Sequence, residues 1–333
     1  MILLNRITML PLLLILLSNS ASANADEPTL DTLTSEFLQQ QVSQGFTEQE
    51  TQAFIDNAFY NQKIIDAMTQ PWEAKPWYQY YPIFLTDKRL QAGLTFWEKH
   101  AKAINKAAKM FNVDPQIIVA IIGIETFYGS YMGNYPVKDA LYTLGFHYPP
   151  RANFFRKEFA NLQTLVKEEK LDINQLKGSY AGAMGFGQFI PSSYRHYSVD
   201  FDEDGRRDLL NSPTDAIGSV ANYFHQHGWQ AGQPVALKLN VTKSAQPTLA
   251  PWAGEKMQHK VADILSPDLA LAGSVDIDVS QPALLVKLEQ ADHNEYWLGL
   301  NNFYVITRYN RSPLYAMAVY QFSQELKKAY ATH

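Results

Sequence analysis

Apolar residues recur at helical spacing through most of this 333-residue chain, and that pattern restricts the fold more than any other feature. It is interrupted at residues 232–305, where the short apolar runs PVALKL, ALLVKL and FYVIT lie between turn residues and are typical of β-strands. Helical spacing returns in the C-terminal sequence SPLYAMAVYQFSQELKKAY. The chain is therefore predicted to be mainly α, in the α+β class, with one small β-rich insertion.

The helical regions differ in length. Residues 28–70 have the pattern of two or three short helices, whereas residues 88–110 have that of one long amphipathic helix. The stretch between them, 75–86, is too aromatic and too rich in proline to be a regular helix. Asp114 and Pro115 predict the start of a further helix, with Asp114 as the N-cap.

The N-terminus has the three parts of a secretory signal peptide. Arg6 supplies positive charge, residues 9–17 are a short apolar stretch, and a small-residue region ends at Ala25, where cleavage is expected. A membrane anchor is the alternative, but the apolar stretch is far shorter than the roughly 20 residues that span a bilayer. No later segment is predicted to span a membrane.

Composition restricts the class of protein. Hydrophobic residues make up 46% and charged residues 18%, which is typical of a globular protein. The net charge is -5 and no long basic run is present, so nucleic acid is not an expected partner. With 0 cysteines there is neither a disulfide framework nor a site for a lipid anchor. We expect a soluble, exported, periplasmic monomer.

One acid interrupts the apolar stretch IIGIETFYGS. Glu125 follows Ile118, Ile121 and Ile122 at helical spacing and shares their face near the helix C-terminus. Desolvation and the negative end of the helix dipole are both expected to raise its pKa, which suits a general acid. Gly129 suggests that the helix stops soon afterwards and leaves Glu125 at the edge of a cleft. The alternative is a buried glutamate satisfied by an arginine or a backbone amide.

Two further segments suggest ligand binding. Residues 178–194, GSYAGAMGFGQFIPSSY, combine glycines that permit close approach of a ligand with Gln188, which offers both a donor and an acceptor. A tight connection between helices is the alternative. Residues 199–215 begin like an EF-hand calcium loop, but Asn211 replaces the usual glutamate at the twelfth position, so a solvated acidic turn is the alternative there. The alternating acids and the glycine of this loop are Asp200, Asp202, Asp204 and Gly205.

The motifs ETFYG, GSYAGAMGFGQFIPSSY, AIGSVANYFHQHGW and YNRSPLYAMAVY together resemble the membrane-bound lytic murein transglycosylase B family, over residues 30–330. This resemblance implies a lysozyme-like helical core with an additional α-domain and a small β-domain. After the signal peptide at 1–25, we expect the following divisions: an N-terminal α-domain at 26–110, a catalytic core at 111–231 with its EF-hand-like loop at 200–215, a β-rich domain at 232–305, and a helical segment at 306–333 that completes the cleft and the α-domain.

The same resemblance implies the reaction. Enzymes of this family cleave the β-1,4 bond between N-acetylmuramic acid and N-acetylglucosamine in peptidoglycan and leave a 1,6-anhydromuramic end. Glu125 matches the family's catalytic glutamate, which acts as acid and then as base. The residues that match its glycan-binding positions are Ser179, Gln188, Tyr223, Tyr309, Asn310 and Tyr315, with the less specific matches Arg151 and Tyr80.

The resemblance also extends the acidic loop. It implies a lengthened loop that binds structural Ca²⁺, with Na⁺ as an alternative occupant. Asp215 and the backbone carbonyl of Arg206 would join Asp200, Asp202 and Asp204 as ligands, and Asp208 is one more candidate.

Three other functions fit some of these features. A hydrolytic muramidase would use the same glutamate with a second acid, and a catalytically inactive peptidoglycan-binding scaffold would not need Glu125. A calcium-dependent structural protein would explain only the acidic loop. Peptidoglycan strands are the expected partner, and other cell-wall enzymes are further candidates.

Overall fold

The computed structural model describes residues 28–69, 75–242, 247 and 249–332. The predicted signal peptide lies outside these residues. The described chain forms two compact units: one comprises residues 28–69 and 129–216, and the other comprises residues 75–128 and 217–332. The finer domain divisions expected from the sequence stay predictions.

Most of the described chain is helical, as the sequence predicts. The α-helices are, in chain order, Leu30–Ser43 (α1), Glu48–Asp56 (α2), Gln62–Met68 (α3), Trp77–Tyr80 (α4), Asp87–Lys99 (α5), Ala101–Phe111 (α6), Pro115–Thr126 (α7), Val137–His147 (α8), Ala152–Glu169 (α9), Pro191–Tyr197 (α10), Pro213–Gln226 (α11), Val261–Ile264 (α12), Asn301–Tyr309 (α13) and Pro313–Tyr330 (α14). Short 3-10 helices occupy Tyr81–Ile83 and Pro149–Arg151. The three short helices before residue 70 and the irregular aromatic stretch after it confirm the sequence prediction.

The strands form two antiparallel sheets. In chain order they are Tyr135–Pro136 (β1), Lys177–Gly178 (β2), Ala236–Val241 (β3), His259–Lys260 (β4), Leu269–Leu271 (β5), Pro282–Glu289 (β6) and Asn294–Gly299 (β7). β1 pairs with β2, and the larger sheet has the order β4-β6-β7-β3-β5. In the register of that sheet Leu298 pairs with Leu285 on one side and with Leu237 on the other. The predicted β-rich insertion is therefore confirmed.

In the first unit, aromatic packing and a buried amide network hold the helices together. The ring of Phe159 lies 5.1 Å from that of Phe37 and 5.8 Å from that of Phe146. Gln163 on α9 accepts a hydrogen bond from Gln41 at 2.9 Å, so its buried amide oxygen has a partner. Helix α9 also contacts α8 and α10.

In the second unit, α7 is the central helix. All its residues from Gln116 to Thr126 are buried, and α5, α6 and α14 each contact it. A helix that is apolar on every side is buried on every side. This helix carries Glu125 in its last turn.

Two sequence predictions about local structure are wrong. The run FYVIT is not a strand but part of α13, where Phe303 and Ile306 are buried at helical spacing. Packing overrides the β-propensity of its branched and aromatic residues. Residues 88–110 form two helices instead of one, because the backbone breaks at His100 and both halves then contact α7.

Asp114 precedes α7 as predicted, but its side chain does not cap that helix. Its carboxylate accepts hydrogen bonds from the Trp229 indole at 2.9 Å and from the Gly232 amide at 3.2 Å. The acid therefore joins α7 to the segment after α11 within the second unit.

Among the described residues, no single helix has the length and hydropathy needed to cross a membrane. Helices α6 and α7 pass that test only when taken together, and they are bent by 118° at the break between them.

Candidate active site

Glu125 is the only acid on α7, and its side chain is buried. Its exposed fraction is 2%, so it is more enclosed than the cleft edge that the sequence suggested. The helix ends one residue later, and the two following residues, Phe127 and Tyr128, have left-handed backbones with φ of 50° and 58°. Non-glycine residues rarely adopt this conformation, and such strain is concentrated at functional sites.

Tyr315 donates a hydrogen bond to Glu125. Its hydroxyl donates to Oε1 of the Glu125 carboxyl, and its ring is 1% exposed. Burial raises the pKa of Tyr315 well above its usual range, and the nearby Glu125, Tyr309 and Tyr80 raise it further. The phenol therefore stays protonated and remains a donor at neutral pH.

The start of α14 fixes the position of Tyr315. Ser312 caps this helix, because its hydroxyl accepts a hydrogen bond from the Tyr315 amide at 3.2 Å. Helix α14 then contacts α7. The sequence SPLY thus brings a tyrosine from near the C-terminus to a glutamate 190 positions earlier in the chain.

Asn310 ends α13 and is 4% exposed. Its Oδ1 accepts a hydrogen bond from the Ser312 amide at 3.0 Å. Its Nδ2 is buried and has no hydrogen-bond partner in the part of the chain that the structure describes. An unsatisfied buried donor is costly, and a ligand acceptor would remove that cost.

Tyr223 and Tyr309 lie against each other in the same unit. Their ring centroids are 4.8 Å apart in an edge-on arrangement. The Tyr223 hydroxyl donates to the carbonyl oxygen of Arg308 at 2.6 Å. Burial raises the pKa of Tyr309 well above its usual range, and the charge of Glu125 adds to this effect. Tyr309 is therefore close to Glu125, and Tyr223 is close to Tyr309.

Tyr80 is also predicted to bind glycan. It is 2% exposed, and its ring lies 5.1 Å from that of Phe84. Its effect on the pKa of Tyr315 identifies it as a neighbour of that tyrosine. The second unit therefore brings together six of the nine residues predicted for catalysis and glycan binding, which are Tyr80, Glu125, Tyr223, Tyr309, Asn310 and Tyr315.

The other three predicted residues belong to the first unit, where each has local contacts. The Ser179 hydroxyl accepts hydrogen bonds from the amides of Ala181 at 3.3 Å and Ala183 at 3.0 Å. The Arg151 guanidinium lies 4.5 Å from the ring of Phe154. Ser179 therefore holds a turn of the glycine-rich segment, whether or not it also meets a ligand.

Gln188 likewise helps to shape that segment. Its Nε2 donates to the carbonyl oxygens of Met132 at 3.1 Å and Gly185 at 3.0 Å. Gly185 has φ of 70°, and a Cβ there would lie 2.1 Å from the backbone oxygen of Leu209. The tight connection foreseen as an alternative therefore exists at this position, since only glycine fits.

Three acids of the predicted calcium loop converge. The carboxylates of Asp200, Asp202 and Asp204 offer oxygens that all lie within 4.8 Å of one another. Asp200 also accepts hydrogen bonds from the Asp204 amide at 3.0 Å and the Gly205 amide at 2.9 Å, which turn the loop sharply. Three hard oxygen donors on one turn suit a calcium ion.

The structure gives Asp215 and Asp208 a different task from that of the three converging acids. The buried Asp215 carboxylate accepts backbone amides from Phe201 at 2.8 Å, Asp202 at 3.3 Å and Asp208 at 2.8 Å. Burial raises the pKa of Asp215, although these three amides oppose the effect. Asp208 accepts the amides of Leu210 and Asn211 at 2.9 and 2.8 Å. Both acids hold the loop in shape, and direct ligation by them or by the Arg206 carbonyl stays a prediction.

One buried cation near the site was not foreseen. Arg89 is 2% exposed and donates to the carbonyl oxygens of Ile83 and Phe84, each at 2.7 Å. Its guanidinium also lies 5.1 Å from the ring of Phe127. It thus joins the segment that follows Tyr80 to the strained turn that follows Glu125. The only sequence signal was a single arginine on the apolar side of α5.

Comparison with known proteins gives a consistent result. Residues 29–324 match the family model described as the transglycosylase SLT domain. The chain is 39% identical over 305 residues to membrane-bound lytic murein transglycosylase B of Escherichia coli (strain K12), which covers 88% of this chain and 82% of that protein.

Solved structures agree with this match. The chain is similar to the soluble lytic transglycosylase SltB1 from Pseudomonas aeruginosa, at 42% identity and a TM-score of 0.80, with 90% of this chain and 99% of the other covered. For the Escherichia coli lytic transglycosylase Slt35 in complex with calcium, the identity is 39% and the TM-score is 0.80, and the match covers 90% of this chain and 94% of Slt35. For Pseudomonas aeruginosa SltB3 in complex with NAG-anhNAM-pentapeptide, the identity is 29% and the TM-score is 0.76, and the match covers 90% of this chain and 80% of SltB3.

Proposed function

The chain belongs to the transglycosylase SLT domain family, and we propose that Glu125 is the single residue that acts as acid and then as base in its reaction. The protein is a peptidoglycan lytic transglycosylase with a lysozyme-like fold. The observation that supports the role of Glu125 is its position in the last turn of a buried helix with the Tyr315 hydroxyl directed at its carboxyl. A carboxyl held in this way is oriented for proton transfer.

The first step of the reaction breaks the glycosidic bond. Glu125 gives its proton to the oxygen that joins N-acetylmuramic acid to N-acetylglucosamine, and the bond from that oxygen to C1 of the muramic acid breaks. The oxygen of the substrate's own 2-acetamido group stabilises the positive charge that develops at C1. This role of the substrate removes the need for the second carboxylate that ordinary glycosidases use.

The second step closes the anhydro ring. The Glu125 carboxylate takes the proton from the C6 hydroxyl of the same muramic acid, and O6 forms a bond to C1. Glu125 is then protonated again, so atoms and charge balance without added water. That SltB3 was solved with NAG-anhNAM-pentapeptide supports an anhydro product for this family.

The glycan-binding roles come from the family motifs. Asn310 has the clearest support, because its buried Nδ2 can donate to a sugar hydroxyl or amide oxygen. In Gln188 both donors are used, by the carbonyl oxygens of Met132 and Gly185, so its acceptor oxygen is the atom for a ligand. The remaining residues proposed to contact glycan are Ser179, Tyr223, Tyr309, Tyr315, Arg151 and Tyr80.

Product analysis tests the proposed reaction. We expect the mature protein to release muropeptides that end in 1,6-anhydromuramic acid from purified peptidoglycan, each lighter than the hydrated product by one water. Mass spectrometry of the digest distinguishes the two. Hydrated reducing ends would instead indicate a muramidase with a second acid, and intact strands that still bind the protein would indicate a scaffold.

We also infer that the acidic loop binds Ca²⁺. The converging carboxylates of Asp200, Asp202 and Asp204 support this, and so does the calcium complex of Slt35. When bound, the ion would offset two of the three like charges and hold residues 200–215 in one conformation, so its role is structural. Na⁺ is an alternative occupant.

Calcium is expected to stabilise the protein. At a calcium concentration about 100 times its Kd, a ligand bound only by the folded state adds about 2.7 kcal/mol, which raises Tm by about 4 °C for a chain of 333 residues. Excess EDTA should abolish the increase, and so should Asp202→Asn, which removes one charge from the group. Glu36→Gln removes a charge from an exposed position on α1 and serves as the matched control. If the wild type had the same Tm with calcium as with EDTA, the site would be contradicted. Equal stabilisation by sodium would identify Na⁺ as an occupant of the site.

The cell compartment remains part of the proposal. Residues 1–25 are proposed to direct export to the periplasm, where peptidoglycan lies, and the mature protein is proposed to act as a monomer. Similarity to lytic transglycosylases of two bacteria supports this location. N-terminal sequencing of the secreted protein should find Asp26 as the first residue.

A further inference from the structure

Arg308 lies next to the proposed glycan-binding residues but has no role in the reaction described above. Its guanidinium lies 4.1 Å from the ring centroid of Tyr304, and its Nη2 donates to the Thr307 hydroxyl at 3.1 Å. Its Nε is buried and has no hydrogen-bond partner among the residues that the structure describes. One face of the guanidinium is therefore fixed by an aromatic ring while one of its donors is unsatisfied.

The charge of Arg308 is also uncompensated. Within the described chain no carboxylate forms an ion pair with it, whereas Arg195 and Arg207 pair with Glu168 and Glu169. A second cation is close instead: burial lowers the pKa of Arg308, the neighbouring Tyr304 opposes this effect, and the charge of Arg311 lowers the pKa as well. Like charges held together and a buried donor without an acceptor both cost free energy.

The backbone places this cation beside the candidate active site. The carbonyl oxygen of Arg308 accepts the hydrogen bond from the Tyr223 hydroxyl at 2.6 Å. The next two residues are Tyr309 and Asn310. The charge of Glu125 raises the pKa of Tyr309, and the buried Nδ2 of Asn310 has no partner among the described residues. An anion held by Arg308 would therefore belong to the same ligand as the glycan.

We propose that Arg308, assisted by Arg311, binds a carboxylate of the peptide attached to muramic acid. This inference rests on the proposed function. N-acetylglucosamine has no charge, and the lactyl carboxyl of muramic acid is in amide linkage to the peptide. The peptide is therefore the part of the substrate that carries free carboxylates. A carboxylate would satisfy the Nε donor, neutralise part of the paired positive charge, and match the planar fork of the guanidinium.

A double-mutant cycle between enzyme and substrate tests this assignment. Two synthetic peptide-bearing glycan tetramers are needed, one with free peptide carboxylates and one with every carboxylate converted to a primary amide. The measured quantity is the ratio of kcat/KM for the free-carboxylate tetramer to that for the amidated one. For the wild type we expect a ratio of about ten, because the amidated tetramer loses one charge-assisted hydrogen bond. The difference between the two substrates should arise mainly in KM.

Arg308→Gln should reduce this ratio to near one, because the variant lacks the guanidinium that binds the carboxylate and keeps only the assisting charge of Arg311. Lys327→Gln removes an equal charge from the exposed last turn of α14 and should leave the ratio near ten. If Arg308→Gln does not fold, Arg308→Lys keeps the charge but loses the Nε donor, and its ratio should fall between one and ten.

The outcomes separate this inference from the proposed function. A wild-type ratio of about one would overturn the carboxylate site even when both tetramers give anhydro products. A ratio of about ten in wild type and in Arg308→Gln alike would overturn the role of Arg308. Failure of the wild type to form anhydro products from either tetramer would instead contradict the proposed reaction.

Discussion

Glu125→Gln is expected to lower kcat/KM for release of anhydromuramyl products by at least about 10³-fold, because in the proposed mechanism this one residue supplies both proton transfers. A single positioned acid or base contributes about 10² to 10⁴ in rate. Glutamine has nearly the same shape and can still accept the Tyr315 hydrogen bond through its amide oxygen, but it has no proton to give at neutral pH. Mass spectrometry of timed digests measures the change.

Glu158→Gln is the matched control for this substitution. Glu158 is another buried glutamate, 4% exposed, whose carboxylate accepts hydrogen bonds from Ser192 at 2.9 and 2.7 Å. Its substitution should lower Tm but leave the products and their rate of release unchanged. Retention of activity within tenfold of wild type by folded Glu125→Gln protein would show that another group transfers the proton.

Glu125 could be identified from the sequence because it is a single acid in an apolar helix. The prediction that it lies at the edge of a cleft was less accurate, since its side chain is 2% exposed. Helical spacing indicates which residues share a face, but α7 is enclosed by α5, α6 and α14, so it has no exposed face. The hydrogen bond from Tyr315 spans 190 positions, and no local pattern contains such a contact. Only the family motif brought this tyrosine into the prediction.

The prediction from local β-propensity was wrong where tertiary contacts hold the segment in a helix. The FYVIT run has a strand-like composition, but Asn302 at the start of α13 accepts a hydrogen bond from the Gln230 amide at 2.9 Å and donates to the Gln230 carbonyl at 2.7 Å. This anchor and the burial of Phe303 and Ile306 favour a helix. The sequence analysis also did not predict β7, which lies between β6 and β3 in the sheet.

The acidic loop shows a similar limit. Alternating acids predicted the convergence of Asp200, Asp202 and Asp204, because the spacing within one short turn determines it. The same pattern cannot distinguish a ligand from an acid that holds the turn together. Asp215 is buried and accepts three backbone amides, a role that depends on how residues 201–208 fold against the first turn of α11.

Tyr315→Phe is expected to lower kcat by about 10- to 100-fold with little change in KM. The lost hydrogen bond is made within the enzyme to the catalytic carboxyl, and a bond to a charged group is worth about 1.5–3 kcal/mol. Phenylalanine keeps the buried ring, so α14 should still contact α7 and the loss should come from a misoriented Glu125. Initial rates of anhydro-product release over a range of substrate concentrations separate kcat from KM.

Tyr320→Phe separates this effect from a general loss of stability. Tyr320 lies on the same helix and also donates one hydrogen bond, but its acceptor is the carbonyl oxygen of Ala236, at 3.2 Å, and not Glu125. Both variants should lose a similar amount of Tm, while only Tyr315→Phe loses kcat. An equal fall of kcat in the two variants would mean that Tyr315 acts through the packing of α14. In that case the orientation of Glu125 would depend on its own helix and the strained turn that follows it, at Phe127 and Tyr128.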